Sequence, residues 1–84
     1  MNNIIMRKIV LTAGYQQLSS VPLVASVCIS CPPGNAGVTY FKGDDGSDVP
    51  WQPSEWHRFV RVNLSDIQAK GTPGDILTLV GGSW

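Results

Sequence analysis

Two cysteines in a C-x-x-C arrangement are the first residues in this sequence that could carry chemistry. Cys28 and Cys31 are separated by two residues and followed by Pro32 and Pro33. A redox-active pair of this kind needs its first thiol at a helix N-terminus, which lowers the pKa of the thiol. Here the pair lies at the end of an alternating, strand-like segment, and such alternation places the two side chains on opposite sheet faces. We therefore expect ordinary structural cysteines.

His57 is the only histidine in the chain. With the two cysteines it would supply fewer than the roughly four ligands of a structural zinc site. As a general base it would need a nucleophile and an orienting acid, and although Glu55 is near, no nucleophile motif accompanies it. His57 stands between Trp56 and Arg58 at the start of a strand-like segment, which indicates a loop or interface residue. We expect no metal, no cofactor and no enzymatic activity.

Two further segments have the composition of ligand-binding loops. Residues 44–48 hold three carboxylates, which are oxygen ligands of the kind that calcium prefers. They lack the spacing and distal glutamate of an EF-hand loop, and Asp-Gly is a common turn signal, so a plain surface loop is expected. Residues 71–75 are glycine-rich but lack the Lys-Ser/Thr and helix of a phosphate-binding loop. They predict a type I or II turn with Pro73 at its second position.

Turn signals at short intervals divide the chain into segments of strand length. Regular spacing of this kind is typical of β-sandwiches and barrels. The sequence predicts an all-β fold, a small antiparallel β-sandwich for which a jelly-roll-like winding is one arrangement. A single helical turn over residues 65–70, capped by Ser65, is the competing interpretation of one weak segment. The expected strands are residues 4–12, 21–31, 38–42, 59–64 and 75–80, with 15–19 and 66–70 as weaker candidates.

The hydrophobic pattern assigns faces to three of these strands. Residues 21–31 are apolar at every odd position, whereas the small or polar residues Ser26, Cys28 and Ser30 fall on the other face. This alternation is typical of a half-buried strand. In residues 59–64 the same alternation predicts that Val60, Val62 and Leu64 share the buried face, opposite Arg61 and Asn63. Residues 75–80 are almost continuously apolar, which is expected of a strand that is covered on both faces or lies at an interface.

Composition and charge exclude several classes of function. Charged residues make up 14% of the 84 residues, against roughly 25% in an average soluble domain. The net charge is zero and no basic run is longer than Arg7-Lys8, so no nucleic-acid partner is expected. The longest apolar run, residues 21–29, is too short to span a membrane. We expect one domain over residues 1–84, with short arms at 1–6 and 81–84 and synthesis in a reducing cytoplasm.

The tryptophans are the best candidates for partner contacts, since Trp residues are enriched in interface hot spots. Trp51 and Trp56 bracket a short turn, and Trp84 follows two glycines and a serine. The alternative is that Trp51 and Trp56 cover one open end of the sandwich. The predicted partner interface consists of these residues together with a histidine and the N-terminal arm: Ile4, Ile5, Met6, Trp51, Trp56, His57 and Trp84.

The order of the motifs resembles a known family. The segments that carry the resemblance are 9–14 (IVLTAG), 17–18 (QL), 21–29 (VPLVASVCI), 37–44 (GVTYFKGD), 53–55 (PSE), 62–67 (VNLSDI) and 71–77 (GTPGDIL). Together they are similar to small β-sandwich proteins encoded among the structural genes of tailed bacteriophages. The resemblance extends from about residue 9 to residue 80. The chain departs from the family pattern at Ser54, where glycine is usual, and at Pro73, where alanine is common.

The resemblance implies a virion structural protein, a capsid decoration or cement subunit that binds the major capsid protein and reinforces the head. It would be made in the bacterial cytoplasm and lie on the capsid surface as a dimer or trimer, with no nucleic acid or membrane partner. One alternative is a base or adaptor for head or tail fibres. Another is a virion-borne carbohydrate-binding module, with Trp51, Trp56 and Tyr40 as a platform on which sugar rings stack.

Overall fold

The computed structural model describes residues 3–84, so Met1 and Asn2 of the expected N-terminal arm lie outside the described residues. The prediction of an all-β protein is confirmed. The only helical element between residues 3 and 84 is a 3₁₀ turn at Leu64–Asp66, capped by the side chain of Asn63. The competing interpretation, a helical turn over residues 65–70 capped by Ser65, is wrong in its bounds and its cap, since residues 68–70 form a strand. The strands are β1 (Asn3–Val10), β2 (Gln16–Gln17), β3 (Val24–Ser30), β4 (Thr39–Lys42), β5 (Val49–Trp51), β6 (Trp56–Asn63), β7 (Gln68–Lys70) and β8 (Ile76–Ser83).

The strands form two four-stranded antiparallel sheets. Sheet A has the order β1-β8-β3-β6 and sheet B the order β2-β7-β4-β5. Each strand of one sheet is followed along the chain by a strand of the other, except where β4 and β5 form a hairpin. This is the winding of a jelly roll, in which two packed sheets of four strands share one core. The predicted small antiparallel β-sandwich is therefore present.

The core lies between the sheets and draws on both. Sheet A contributes the inward residues of its strands, among them Val27, Ile29, Leu77 and Leu79, while Phe41 and Ala69 come from sheet B and all are buried. Burial of such side chains stabilises the fold by roughly 25 cal/mol per Å² of apolar surface. The odd positions of β3 point inward as its alternation predicts. In β8, Leu77 and Leu79 are buried but Val80 is exposed, so this apolar strand is covered on one face only at that point.

The prediction that Val60 shares the buried face with Val62 and Leu64 is wrong. Val27 pairs with Phe59 and Ala25 pairs with Val62, so two residues of β6 lie opposite the single residue Ser26. This is a β-bulge, which adds one residue to a strand and reverses the side-chain alternation beyond it. Phe59 and Val62 therefore pack on the core, and Val60 points outward with 67% of its surface exposed.

The interpretation of residues 1–6 and 81–84 as arms also needs correction. Residues 3–6 belong to β1 and residues 81–83 belong to β8, and the two segments pair with each other from Asn3↔Ser83 onward. The glycines that suggested a flexible tail are strand residues. Position 81 requires glycine, because a Cβ there would overlap the carbonyl oxygen of Ser26 and lie 2.7 Å from the Cα of Val27. Trp84 comes directly after the last strand.

The segment at residues 71–75 forms the predicted turn and fastens a neighbouring loop. The carbonyl of Thr72 accepts a hydrogen bond from the Asp75 N–H at 3.0 Å, and Gly74 has φ +94°, which defines a type II turn. The buried Asp75 carboxylate accepts hydrogen bonds from the backbone N–H groups of Ala36 and Gly37, at 2.9 and 3.1 Å. The carboxylate thus joins the 35–37 loop to the start of β8.

Candidate functional site

The outward face of sheet A carries a group of exposed apolar side chains. In β1 the even positions point outward, and Ile4 and Met6 expose 79% and 74% of their surfaces. Met6 pairs with Val80, which pairs in turn with Cys28, so these side chains form one row across the sheet. We call this surface the A face; its large exposed apolar residues are Ile4, Met6, Val10, Val24, Trp56, Val60 and Val80.

The centre of the A face is a shallow depression. Small residues of β3 and β8 form its floor, since Ser26 pairs with Gly82 in the row next to Cys28 and Val80. Val60 and Val80 are among the residues that line it, and its volume is about 320 Å³. Apolar side chains around a floor of small residues give a surface into which a protruding apolar side chain of a partner fits.

Charge is distributed unevenly between the strands and the loops. The four strands of sheet A contain Arg7, Lys8, Arg58 and Arg61, and no acidic residue. The strands of sheet B likewise contain two lysines, Lys42 and Lys70, and no acidic residue. All six acidic residues lie in the loops and turns of the chain: Asp44, Asp45, Asp48, Glu55, Asp66 and Asp75. Although the net charge is zero, positive and negative charges are therefore separated in the structure, and sheet A combines apolar side chains with positive charge. Such a surface complements one that is apolar and acidic.

Two of the residues predicted to contact a partner are buried instead. Ile5 exposes 1% of its surface and Trp51 exposes 5%, so their assignment to the interface is wrong. Ile5 occupies an inward position of β1. Trp51 stacks on Phe41 with ring centroids 3.8 Å apart and meets the edge of His57 at 4.6 Å. Trp51 thus covers an end of the core, as the alternative interpretation predicted, whereas Trp56, for which the same was predicted, is exposed. With Trp51 buried, the proposed sugar platform of Trp51, Trp56 and Tyr40 loses one of its three rings.

The other predicted contact residues are exposed and do not form one cluster. Ile4, Met6 and Trp56 lie on the A face. Trp84 is exposed, and the guanidinium of Arg61 lies 5.0 Å from its ring centroid. This cation–π contact holds the terminal ring against β6. Val60 and Val80 were missed: Val60 because of the bulge, and Val80 because a continuous apolar run does not tell which residue remains uncovered.

His57 and Glu55 form a pair at the start of β6. The His57 Nε2 and Glu55 Oε2 atoms are 2.7 Å apart, and Glu55 Oε1 accepts a hydrogen bond from the Gln52 N–H at 3.0 Å. The hydrogen bond with His57, and then that from the Gln52 backbone, lower the pKa of the Glu55 carboxyl below its ordinary range. Within residues 3–84 the His57 ring bonds to no hydroxyl or thiol group. The pair stabilises the turn before β6.

The cysteines and the acidic loop occupy separate places. Cys28 points toward the A face and Cys31 is buried, and both are free thiols; burial raises the pKa of the Cys31 thiol. In the loop, the Asp45 side chain accepts a hydrogen bond from the Ser47 N–H, and Asp48 accepts one from the Tyr15 hydroxyl. Desolvation, and then the bond to Asp48, raise the pKa of Tyr15 to about 12. No cluster of three potential metal ligands occurs in the described part of the chain.

A second depression, of about 420 Å³, opens between the edges of the two sheets. Phe41 and Trp51 line it from sheet B, and Phe59 lines it from β6. It exists because β5 has three residues whereas β6 has eight, so the end of sheet B does not cover the whole of β6. Sequence reasoning missed this cleft, since the short strand β5 was not predicted.

Comparison of the chain with models of protein families, with characterised proteins and with solved structures gives no match. The fold and the A face therefore define the class at hand, which is a small jelly-roll sandwich with one apolar, basic sheet face. No helix within residues 3–84 has the length and apolar character needed to cross a bilayer.

Proposed function

We propose that this protein is a phage virion structural protein, a decoration or cement subunit that binds the major capsid protein through its A face. The observation that carries the proposal is the patch of exposed apolar side chains on sheet A that includes Ile4, Met6 and Val80. Contiguous apolar patches on small soluble proteins are typical of interaction sites. The resemblance of residues 9–80 to phage structural proteins supports the choice of partner.

Binding works through burial of surface that the free protein exposes. Each contact gains roughly 25 cal/mol per Å² of apolar area before the cost of association is subtracted. Positive charge from Lys8 and Arg58 speeds association with an acidic capsid surface. Many equivalent subunits on one head each cross a joint between capsid proteins, so that weak contacts on both sides of the joint act together.

The first test is the location of the chain. Mass spectrometry of purified virions, followed by imaging of the particles, is expected to find it at many copies per head. Its presence on tails alone would replace the proposal with the fibre-base alternative, and its absence from particles would contradict both.

The second test uses a matched pair of variants. Val80 and Val49 expose similar fractions, 52% and 47%, but Val80 lies on the A face and Val49 on β5 at the end of sheet B. Val80→Asp is expected to weaken binding to undecorated heads by at least about tenfold, since an unpaired carboxylate would be buried. Val49→Asp is expected to bind as the unchanged protein does. Equal binding by the two variants would exclude the A face as the contact.

A further inference from the structure

The outer edge of β1 presents unpaired main-chain groups in a regular series. β1 is the end strand of sheet A and pairs only with β8. The Leu11 N–H donates to the Asp75 carbonyl at 2.8 Å, so positions 11 and 75 form a hydrogen-bonded pair. Because such pairs alternate along an antiparallel ladder, the N–H and C=O groups of Ile4, Met6, Lys8 and Val10 point away from β8.

One observation checks this assignment directly. The Gln16 side chain donates a hydrogen bond from Nε2 to the carbonyl of Val10 at 2.9 Å, which places that carbonyl on the outer edge. The same bond closes the edge at Val10. Ile4, Met6 and Lys8 remain, and no residue of the described range 3–84 pairs with their outward backbone groups. Regular free edges of this kind are sites where a further strand adds.

We propose that β1 pairs antiparallel with β1 of a second copy, about a two-fold axis at Met6. Met6 then lies opposite Met6 of the partner subunit, and Ile4 lies opposite Lys8 of the partner subunit, twice by symmetry. Each of these three pairs exchanges two main-chain hydrogen bonds. The two A sheets become one continuous sheet of eight strands, and the interface is isologous, as in most homodimers.

Charge disfavours two neighbouring registers, and the number of free residues paired decides against a third. In the third, an axis at Ile5 would pair Ile4 with Met6 of the partner subunit twice but would pair Lys8 with no residue in the described range 3–84. An axis at Arg7 would place Arg7 directly opposite its own copy, and an axis at Lys8 would do the same with Lys8. Like charges in direct cross-strand positions are destabilising. A two-fold axis between two residues would place each even residue of one β1 opposite an odd residue of the other β1. The odd residues have no free main-chain N–H or C=O groups, because these are already bonded to β8. The axis at Met6 pairs all three free residues and sets each Lys8 against an isoleucine.

The inference stands apart from the proposed capsid binding, because the isolated protein tests it. In sedimentation equilibrium over a wide concentration range, we expect the unchanged protein to form dimers. Met6→Pro removes an N–H that bonds to nothing within the monomer and adds a ring at the edge. It is expected to remain folded by circular dichroism and to raise the dimer Kd by at least about tenfold. Met6→Leu, the control, is expected to dimerise normally.

A crosslink tests the register and does not depend on the proline variant. In a hydrogen-bonded pair the Cα atoms lie about 5.5 Å apart, which is within the range of a disulfide. In a Cys28→Ser background, Met6→Cys is expected to give a covalent dimer on mild oxidation. Val10→Cys, which is equally outward but does not meet its own copy, is expected to stay monomeric on a denaturing gel. A monomeric unchanged protein, a dimer unaffected by Met6→Pro, or equal crosslinking at both positions would overturn the proposal.

Discussion

Strands β1 and β6 close the two sides of the same sheet, and each has eight residues, yet they present different edges. β1 offers main-chain groups at regular intervals from Ile4 to Lys8. β6 begins the same series at Trp56 and Arg58, since the pairing of Cys31 with Glu55 sets the same alternation there. Beyond Phe59 the bulge interrupts it. Strand length and apolar content thus do not decide whether an edge strand can pair with a further strand. What decides is whether its free main-chain N–H and C=O groups follow one another in a regular series.

The bulge is stabilised by a contact between two strands, from Arg61 of β6 to Ser26 of β3. Arg61 has φ +54°, in the left-handed region that non-glycine residues seldom adopt. Its N–H donates to the Ser26 Oγ at 3.0 Å, so the unpaired amide of the bulge finds a partner on β3. Bulges of this kind turn an edge away from other chains. β6 is therefore protected by its shape, whereas β1 carries only the charges of Arg7 and Lys8.

The largest expected effect comes from the strand that connects the two halves of sheet A. Gly81 pairs with Ile5 on one side and with Val27, next to the bulge, on the other. Gly81→Ala places a methyl group against the backbone of β3, and we expect a loss of at least about 2–3 kcal/mol in the free energy of unfolding. Urea denaturation measures it. Gly14→Ala is the control, since nothing lies within 4 Å of a Cβ there; equal effects would mean that β3 and β8 are less closely packed than described.

An intermediate effect is expected at Arg61, where two substitutions separate conformation from contact. Both Arg61→Val and Arg61→Gly remove the cation–π contact with Trp84. Valine is strained at positive φ by about 1–2 kcal/mol, whereas glycine adopts this conformation freely. We expect the valine variant to be less stable than the glycine variant by about that difference in thermal and urea unfolding. Equal stabilities would show that the bulge does not depend on the left-handed residue.

The smallest effect is expected from Glu55→Gln at the start of β6. The pKa of Glu55 is lowered in the folded state, so its ionised form contributes stability above the carboxyl pKa of the unfolded chain. This contribution is lost as the pH falls through the pKa of the folded state. The variant should therefore melt slightly lower than the unchanged protein at neutral pH and equally at strongly acidic pH. A difference that persists in acid would assign the effect to packing of the side chain.

Much of the fold could be predicted from the sequence because the core strands follow simple rules. The alternation in residues 21–31 reflects one buried face, and Pro73-Gly74 at the central positions of a type II turn fixes the start of β8. The strand β5 was missed because it contains Pro50, which lacks a ladder donor; it is tolerated because β5 lies at the end of sheet B. The bulge at Arg61 has no sequence signal, since arginine, unlike glycine or asparagine, is not a residue that favours the left-handed backbone conformation.

The candidate site could be predicted only in part. Ile4, Met6 and Trp56 were expected to be available to a partner, and they are exposed. Ile5 was included because residues 1–6 were interpreted as an arm, whereas strand pairing sends alternate residues of β1 into the core. Trp51 was included because it stands beside turn residues, but its large ring is needed to cover Phe41. The absence of acidic residues from sheet A is visible only once the strands are assigned.

The pairing of Asn3 with Ser83 has a consequence for how the chain folds. The Asn3 side chain donates a hydrogen bond from Nδ2 to the Ser83 Oγ at 3.0 Å, and the ladder between β1 and β8 encloses nearly the whole chain. Pairings so distant in sequence slow folding, typically to milliseconds or seconds. We expect β1 to dock after the β3–β6 and β4–β5 pairs have formed. Until then β8 exposes a second unpaired edge, so the nascent domain is most vulnerable to aggregation in its final folding step.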